Sequence, residues 1–196
     1  MSERDFRIVG VAGSLRSASY NRALLRASTE LAPLGIAVEA FEIGELPLYN
    51  ADLDQPGRAP EVAIRLRNAI ADADAFLIVT AEYNWGPSGV TKNLVDWASR
   101  PAGSSVLRRK PVALMGASPG SAGTARAQLQ LRQHLQSIPA YVLVEPQVQL
   151  GGAAARFDGD LRLIDEEVRA LVSRQLEALR EWALLVRSLG ELGVPG

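Results

Sequence analysis

Cysteine is absent from this chain of 196 residues, and histidine occurs once. The first absence removes disulfides, thiolate nucleophiles and thiolate metal sites together. The second leaves any histidine-dependent mechanism with one candidate, His134. Long apolar runs are missing too. None approaches the roughly 20 residues of a membrane-spanning helix, and no signal-peptide pattern opens the chain. Charge of one sign is also scarce. With 21 Lys and Arg against 22 Asp and Glu the net charge is −1, so there is no basic field for nucleic acid and no strong acidity to steer toward basic partners. No cluster of His, Asp or Glu has metal-ligand spacing. Together these absences lead us to expect a cytoplasmic protein with no nucleic acid, membrane or metal among its partners.

What is present is an apolar fraction of 47%, enough for one domain over residues 1–196 with a sizeable core. Apolar runs alternate with helical patterns. Phe6–Ala12 reads as a strand, Tyr20–Ala32 as a helix, Ile36–Ile43 as a second strand and Glu61–Asp72 as a second helix. Ala75–Thr80 is apolar without alternation, as in a central parallel strand covered on both faces. A loop, a helix over Ser88–Ser99, a strand at Pro111–Gly116 and a helix over Thr124–Ser137 follow. A fifth strand, Tyr141–Val144, can resume at Val148–Leu150. The last helix, about Leu161–Leu189, places Ile164, Val168, Leu171, Val172, Leu179, Trp182, Val186 and Leu189 on one face, and Val194–Gly196 reads as a frayed tail. Such β–α alternation predicts a three-layer α/β domain with a parallel sheet, whose ligands bind at the carboxyl ends of the strands.

The unusual loops fall on that rim. Ile8–Asn21, IVGVAGSLRSASYN, runs from a buried strand through a hydroxyl-rich loop to a helix N-terminus. Free backbone N–H groups and the positive end of the helix dipole make such a turn an anion cradle. It lacks the Gly-x-Gly-x-x-Gly spacing of a dinucleotide diphosphate site and the Lys-Ser/Thr ending of a triphosphate loop. Ser14, Ser17, Ser19 and Asn21 offer neutral donors and Arg16 a charged fork, which suits a single terminal phosphate. The alternative is a capped strand–helix turn that holds no ligand. Ala81–Gly89, AEYNWGPSG, sets Glu82, Tyr83, Asn84 and Trp85 beside glycines and a proline. There Tyr83 and Trp85 can pack on or beside a planar ring while backbone N–H groups reach its edge, or else simply staple the next helix. Lys92 and Asp96 are spaced as an ordinary i,i+4 pair.

Gly116–Gly120, GASPG, matches the nucleophile elbow of a hydrolase. Pro119 argues against it, because the residue after the serine must lend its N–H to the oxyanion hole and proline has none. His134 follows Ser118 with no acid between them, so the triad order is missing as well. Ser118, Gly120 and Gly123 read better as a donor-rich loop closing over a ligand.

Taken together, Gly13–Asn21, Pro47-Leu-Tyr-Asn50, Glu82-Tyr-Asn84, Pro87 followed by Lys92-Asn93 and Asp96-Trp97, and Ser118-Pro-Gly120 resemble the NAD(P)H-dependent FMN reductases. That group includes chromate, quinone and azo-dye reductases. The resemblance runs from about Ile8 to Leu135. It implies a flavodoxin-like fold with strand order 2-1-3-4-5, non-covalent FMN, NADPH or NADH as co-substrate, and a homodimer or homotetramer with the flavin near a subunit interface. Ser14, Arg16, Ser19 and Asn21 match the family's phosphate loop. Glu82, Tyr83 and Asn84 match the segment lining the isoalloxazine ring, and Ser118 and Gly120 the loop on its other side. Tyr49 falls in a motif near the site. Ala81 departs from the pattern, where the family usually has proline. The implied function is a reductase passing electrons through FMN to a small-molecule acceptor, with no catalytic side-chain acid, base or nucleophile. The rival expectations are an electron carrier of the flavodoxin kind and a flavin-binding sensor without turnover.

Overall fold

The three central strands owe their apolar sequences, broken only by Arg7 and Thr80, to burial on both faces. In the computed structural model, which describes residues 5–191 and side chains as far as residue 188, these are β1 (Phe6–Gly13), β3 (Ala75–Thr80) and β6 (Pro111–Ala117). Between β1 and β3 lie α1 (Tyr20–Glu30), β2 (Ile36–Ala40) and α2 (Glu61–Asp72). A two-residue pair, β4 (Glu82–Tyr83) and β5 (Gly86–Pro87), precedes α3 (Gly89–Ala98). After β6 come α4 (Ala125–Gln136), β7 (Tyr141–Val142), β8 (Val148–Leu150) and α5 (Glu166–Glu191). The parallel sheet has the order β2-β1-β3-β6-β7, with β8 also paired to β6. Leaving out the separate β4–β5 hairpin, this is the expected 2-1-3-4-5 winding with its fifth position shared by β7 and β8. The gap between those two holds Pro146, which has no N–H to give to a ladder.

Alternate residues of each central strand enter opposite cores. Ile8, Leu77, Val79 and Met115 pack with Leu24 of α1 and Val172, Leu176 and Leu179 of α5. Val9, Val11, Phe76, Ile78 and Leu114 pack with Leu66 and Ile70 of α2, Leu94 of α3, and Leu131 and Leu135 of α4. Each fully buried side chain of this size contributes about 1.5–3 kcal/mol of transfer free energy, which offsets the entropy of ordering the layers. Among the described residues no helix is long and apolar enough to cross a membrane.

Two ends differ from the sequence expectation by three residues or more, and the others by no more than two. Strand β2 stops at Ala40, not Ile43. Phe41 N still donates to Gly10 O at 2.8 Å, after which the chain turns, with Leu46 N on Ile43 O at 3.1 Å. Helix α5 starts at Glu166, not Leu161. Leu161 has φ +59° and Phe157 bridges to Leu163, so a tight turn occupies the preceding stretch. Asp165 then caps the helix by accepting from Val168 N at 3.1 Å. Ile164 therefore lies outside the helix and is exposed, while Val168, Val172, Leu179 and Val186 are buried as expected and Leu171 and Trp182 lie partly buried against the core. Buried Gln175, an unexpected member of that face, donates Nε2 to Leu114 O and Pro146 O. The side chain of Leu189 and the tail Val194–Gly196 lie outside the described residues.

Candidate functional site

The carboxyl ends of β1, β3 and β6 meet at Gly13, Thr80 and Ala117. Gly13 is there because nothing larger fits: a Cβ would overlap Thr91 Oγ1 and meet Ser88 Oγ and Thr80 Cα at 3.3 Å. Ser88 Oγ donates to Gly13 O at 2.7 Å and also caps α3 by accepting from Thr91 N at 3.3 Å. One hydroxyl thus ties the first strand to the helix that follows the third.

Beyond Gly13 the chain opens. Ser14 and Ser19 are buried, whereas residues 15–18 are exposed. The backbone N–H groups of residues 15–18 donate to no described residue. The Arg16 guanidinium makes one long contact, 3.4 Å to Ala18 O. Ser19 caps α1, its Oγ accepting from Asn21 N at 3.2 Å and Arg22 N at 3.4 Å, which leaves its proton available to a ligand. Asn21 is committed elsewhere. Its Oδ1 accepts from Ala117 N at 2.8 Å and its Nδ2 donates to Ala117 O at 3.0 Å. That exchange clamps the start of α1 to the end of β6.

The segment read from the sequence as a loop after β3 is a hairpin. Tyr83 pairs with Gly86, and the turn residues Asn84 and Trp85 have φ +49° and +67°. Tyr83 and Trp85 project outward, 50% and 70% exposed. The Glu82 side chain is only 7% exposed. It accepts from Arg126 N at 3.0 Å, Ala127 N at 3.1 Å and Arg126 Nε at 2.6 Å. Arg126 also lies over the Trp85 ring at 5.0 Å, and Gln130 Nε2 donates to Trp85 O at 2.9 Å. Nothing in the sequence linked Arg126 or Gln130 to the hairpin. The only available signal was that a carboxylate is favoured at a helix N-terminus.

The third loop leaves β6. Ser118 N donates to Leu150 O at 2.9 Å, and Ser118 O accepts from Ala153 N at 3.0 Å. Ser118 Oγ donates to Gly120 O at 3.1 Å and has no base beside it, while His134 Nδ1 has no hydrogen-bond partner among the described residues. A serine–histidine pair is therefore not formed. Burial, with Lys92 as a lesser cause, pushes the His134 imidazole below its ordinary 6.5, against an opposing pull from Asp96. Lys92 and Asp96 form the i,i+4 pair, with Nζ at 2.6 and 2.8 Å from the two carboxylate oxygens. The Pro47–Asn50 loop docks on α3 through Asn93 and Trp97. Tyr49 N donates to Asn93 Oδ1 at 2.7 Å, and Trp97 Nε1 donates to Pro47 O at 2.7 Å. No group of three or more potential metal ligands occurs among the described residues.

The family model for NADPH-dependent FMN reductase matches residues 6–155. The chain belongs to this family. It is 44% identical over 183 residues to an NAD(P)H-dependent FMN reductase of Pseudomonas aeruginosa, covering 93% of this chain and 98% of that one. It is 39% identical to a 2-hydroxy-1,4-benzoquinone reductase of a Burkholderia species, over 90% of this chain and 95% of the other. Among solved structures, the flavoenzyme NAD(P)H:(acceptor) oxidoreductase of Paracoccus denitrificans superposes with a TM-score of 0.81 at 33% identity, covering 90% and 96% of the two chains. The fold is flavodoxin-like. Family membership makes the chain an oxidoreductase with FMN as cofactor and NAD(P)H as co-substrate. The donor set at the rim fits that cofactor: uncommitted amides and a guanidinium at a helix N-terminus suit a phosphate monoester.

Proposed function

We propose that residues 1–196 form a single cytoplasmic FMN domain that oxidises NAD(P)H and reduces quinones, flavins, azo compounds or metal oxyanions at one shared site. The observation that carries this reading is the loop at residues 15–18, whose amides are uncommitted at the N-terminus of α1 while the hairpin and the Ser118 loop flank the same rim. The phosphate is held by Arg16, the amides of residues 15–18 and the hydroxyls of Ser14 and Ser19. Asn21 acts by fixing the loop to Ala117. Backbone groups of Glu82, Tyr83, Asn84 and Trp85 orient the isoalloxazine from one side, and Ser118 and Gly120 close the other. FMN held by these residues would supply the redox chemistry, which is hydride acceptance at N5 and electron donation to the acceptor. The protein's share is binding, orientation and exclusion of water, and no side chain exchanges a proton with the substrate. Quinones come first among acceptors because the Burkholderia relative is named for one. The exposed apolar side chains Tyr83 and Trp85 on the hairpin and Leu129 on neighbouring α4 provide a surface for a homodimer or homotetramer.

A shared face requires NAD(P)⁺ to leave before the acceptor enters. Initial rates with NADPH and a quinone varied together should give parallel double-reciprocal lines. Intersecting lines would show both substrates bound at once and overturn the shared site.

A further inference from the structure

A carboxylate hidden beside a buried strand needs its charge answered nearby. Glu82 lies just past β3 with its side chain 7% exposed. Two of its three donors are first-turn amides of α4, where the helix dipole favours an anion, and the third is the Arg126 guanidinium. The same guanidinium sits 5.0 Å over the Trp85 ring, a cation–π arrangement. Trp85 itself is held at φ +67°, a region that bulky residues avoid. The indole is 70% exposed, so burial does not explain why the turn keeps this shape. Helix α4 keeps it, through Arg126 on the ring and Gln130 on the Trp85 carbonyl.

We propose that Arg126 is a positioning residue for the flavin: it fixes the Asn84–Trp85 turn of the ring-binding hairpin and, by neutralising Glu82, sets the reduction potential of bound FMN. The proposal rests on the reading that the isoalloxazine lies along residues 82–85. Reduction places negative charge on the ring, so a charge at the hairpin is felt differently by the oxidised and reduced forms. Removing the guanidinium leaves Glu82 with two neutral amide donors and no opposing charge, and makes reduction harder. Removing the carboxylate leaves Arg126 unanswered and makes reduction easier.

The test is the midpoint potential of the FMN-loaded protein, measured anaerobically against reference dyes, for wild type, Arg126→Gln, Glu82→Gln, the double variant and Arg126→Lys. Arg126→Gln should lower the reduction equilibrium constant about tenfold, a fall of about 30 mV for a two-electron couple. Glu82→Gln should shift it in the opposite direction, and the double variant should return close to wild type. Arg126→Lys keeps the charge and loses the planar fork, so it should hold the potential while changing Trp85 fluorescence in the apoprotein. Single variants that shift the potential in the same direction, or a double variant displaced further than either, would mean simple loss of structure and overturn the charge-balancing role. Unchanged apoprotein emission in Arg126→Lys would overturn the positioning role. Wild-type protein that takes up no FMN would overturn the site reading itself and this proposal with it, an outcome distinct from wild-type uptake followed by unshifted variants.

Discussion

The loop at residues 14–19 and the hairpin at residues 82–87 stand on the same rim and are built in opposite ways. In the loop, four consecutive amides and the Arg16 guanidinium are almost uncommitted. In the hairpin, Glu82 is answered three times, the Trp85 carbonyl is taken by Gln130, and the next residue after β5, Ser88, is bonded to Gly13. An uncommitted donor can be spent on a ligand, so the loop suits the charged, hydrogen-bonding end of a cofactor. A fully braced turn offers shape and fixed dipoles, which suit a flat ring that must be positioned rather than gripped. The difference separates where affinity should come from and where orientation should come from.

The sharpest way to break this arrangement is at the joint between the two regions. Gly13→Ala puts a methyl into Thr91 Oγ1 and against Ser88 Oγ, and overpacking of this kind costs about 3 kcal/mol. A fall of about 10 °C in the apoprotein melting temperature is expected, measured by circular dichroism. Next come two substitutions in the loop that separate binding from support. Arg16→Ala should weaken FMN binding by about 10- to 100-fold while leaving the apoprotein melt unchanged. Asn21→Ala should do the reverse, costing about 2 kcal/mol of stability by orphaning the buried N–H and carbonyl of Ala117, with a smaller effect on affinity. Fluorescence titration of FMN beside thermal melts distinguishes the two. If both variants lose affinity alone, Asn21 touches the ligand and the division within the loop is wrong.

The smallest effect lies away from the rim. Burial holds the His134 imidazole below its ordinary 6.5, so between the two values the unfolded chain binds a proton that the folded chain does not. Stability is therefore present above 6.5 and declines as pH falls through it toward the lower folded value. His134→Gln should flatten that part of a stability–pH profile measured by urea unfolding. A profile unchanged by the substitution would assign the slope to other groups.

Much of the fold was legible because periodicity and punctuation agreed. Helix α2 was expected over Glu61–Asp72 and occupies those residues, since Val62, Leu66 and Ile70 recur at helical spacing after Pro60. The central strand β3 was legible from a run with no alternation, which burial on both faces explains. The start of α5 was not, because Leu161 and Ile164 carry the helical spacing backward from Val168 into a turn whose cause is local: φ +59° at Leu161 and the Asp165 cap. The hairpin was missed because tryptophan is not a turn residue, and the partner that braces it, Arg126, stands 44 residues beyond Glu82. Periodicity does not record such a distance. Family resemblance marked Asn21 as part of the phosphate loop, but that kind of match cannot tell a ligand contact from a clamp. Here the Asn21 amide is engaged with Ala117.

The central claim is that the open loop and the braced hairpin together hold an FMN that NAD(P)H can reduce. The most direct measurement is the visible spectrum of the purified protein supplied with FMN, freed of unbound flavin, and recorded anaerobically before and after NADPH. The account predicts a yellow protein that bleaches on addition and regains its colour when a quinone follows. A protein that stays colourless, or one whose bound flavin remains oxidised under both NADPH and NADH, would contradict it.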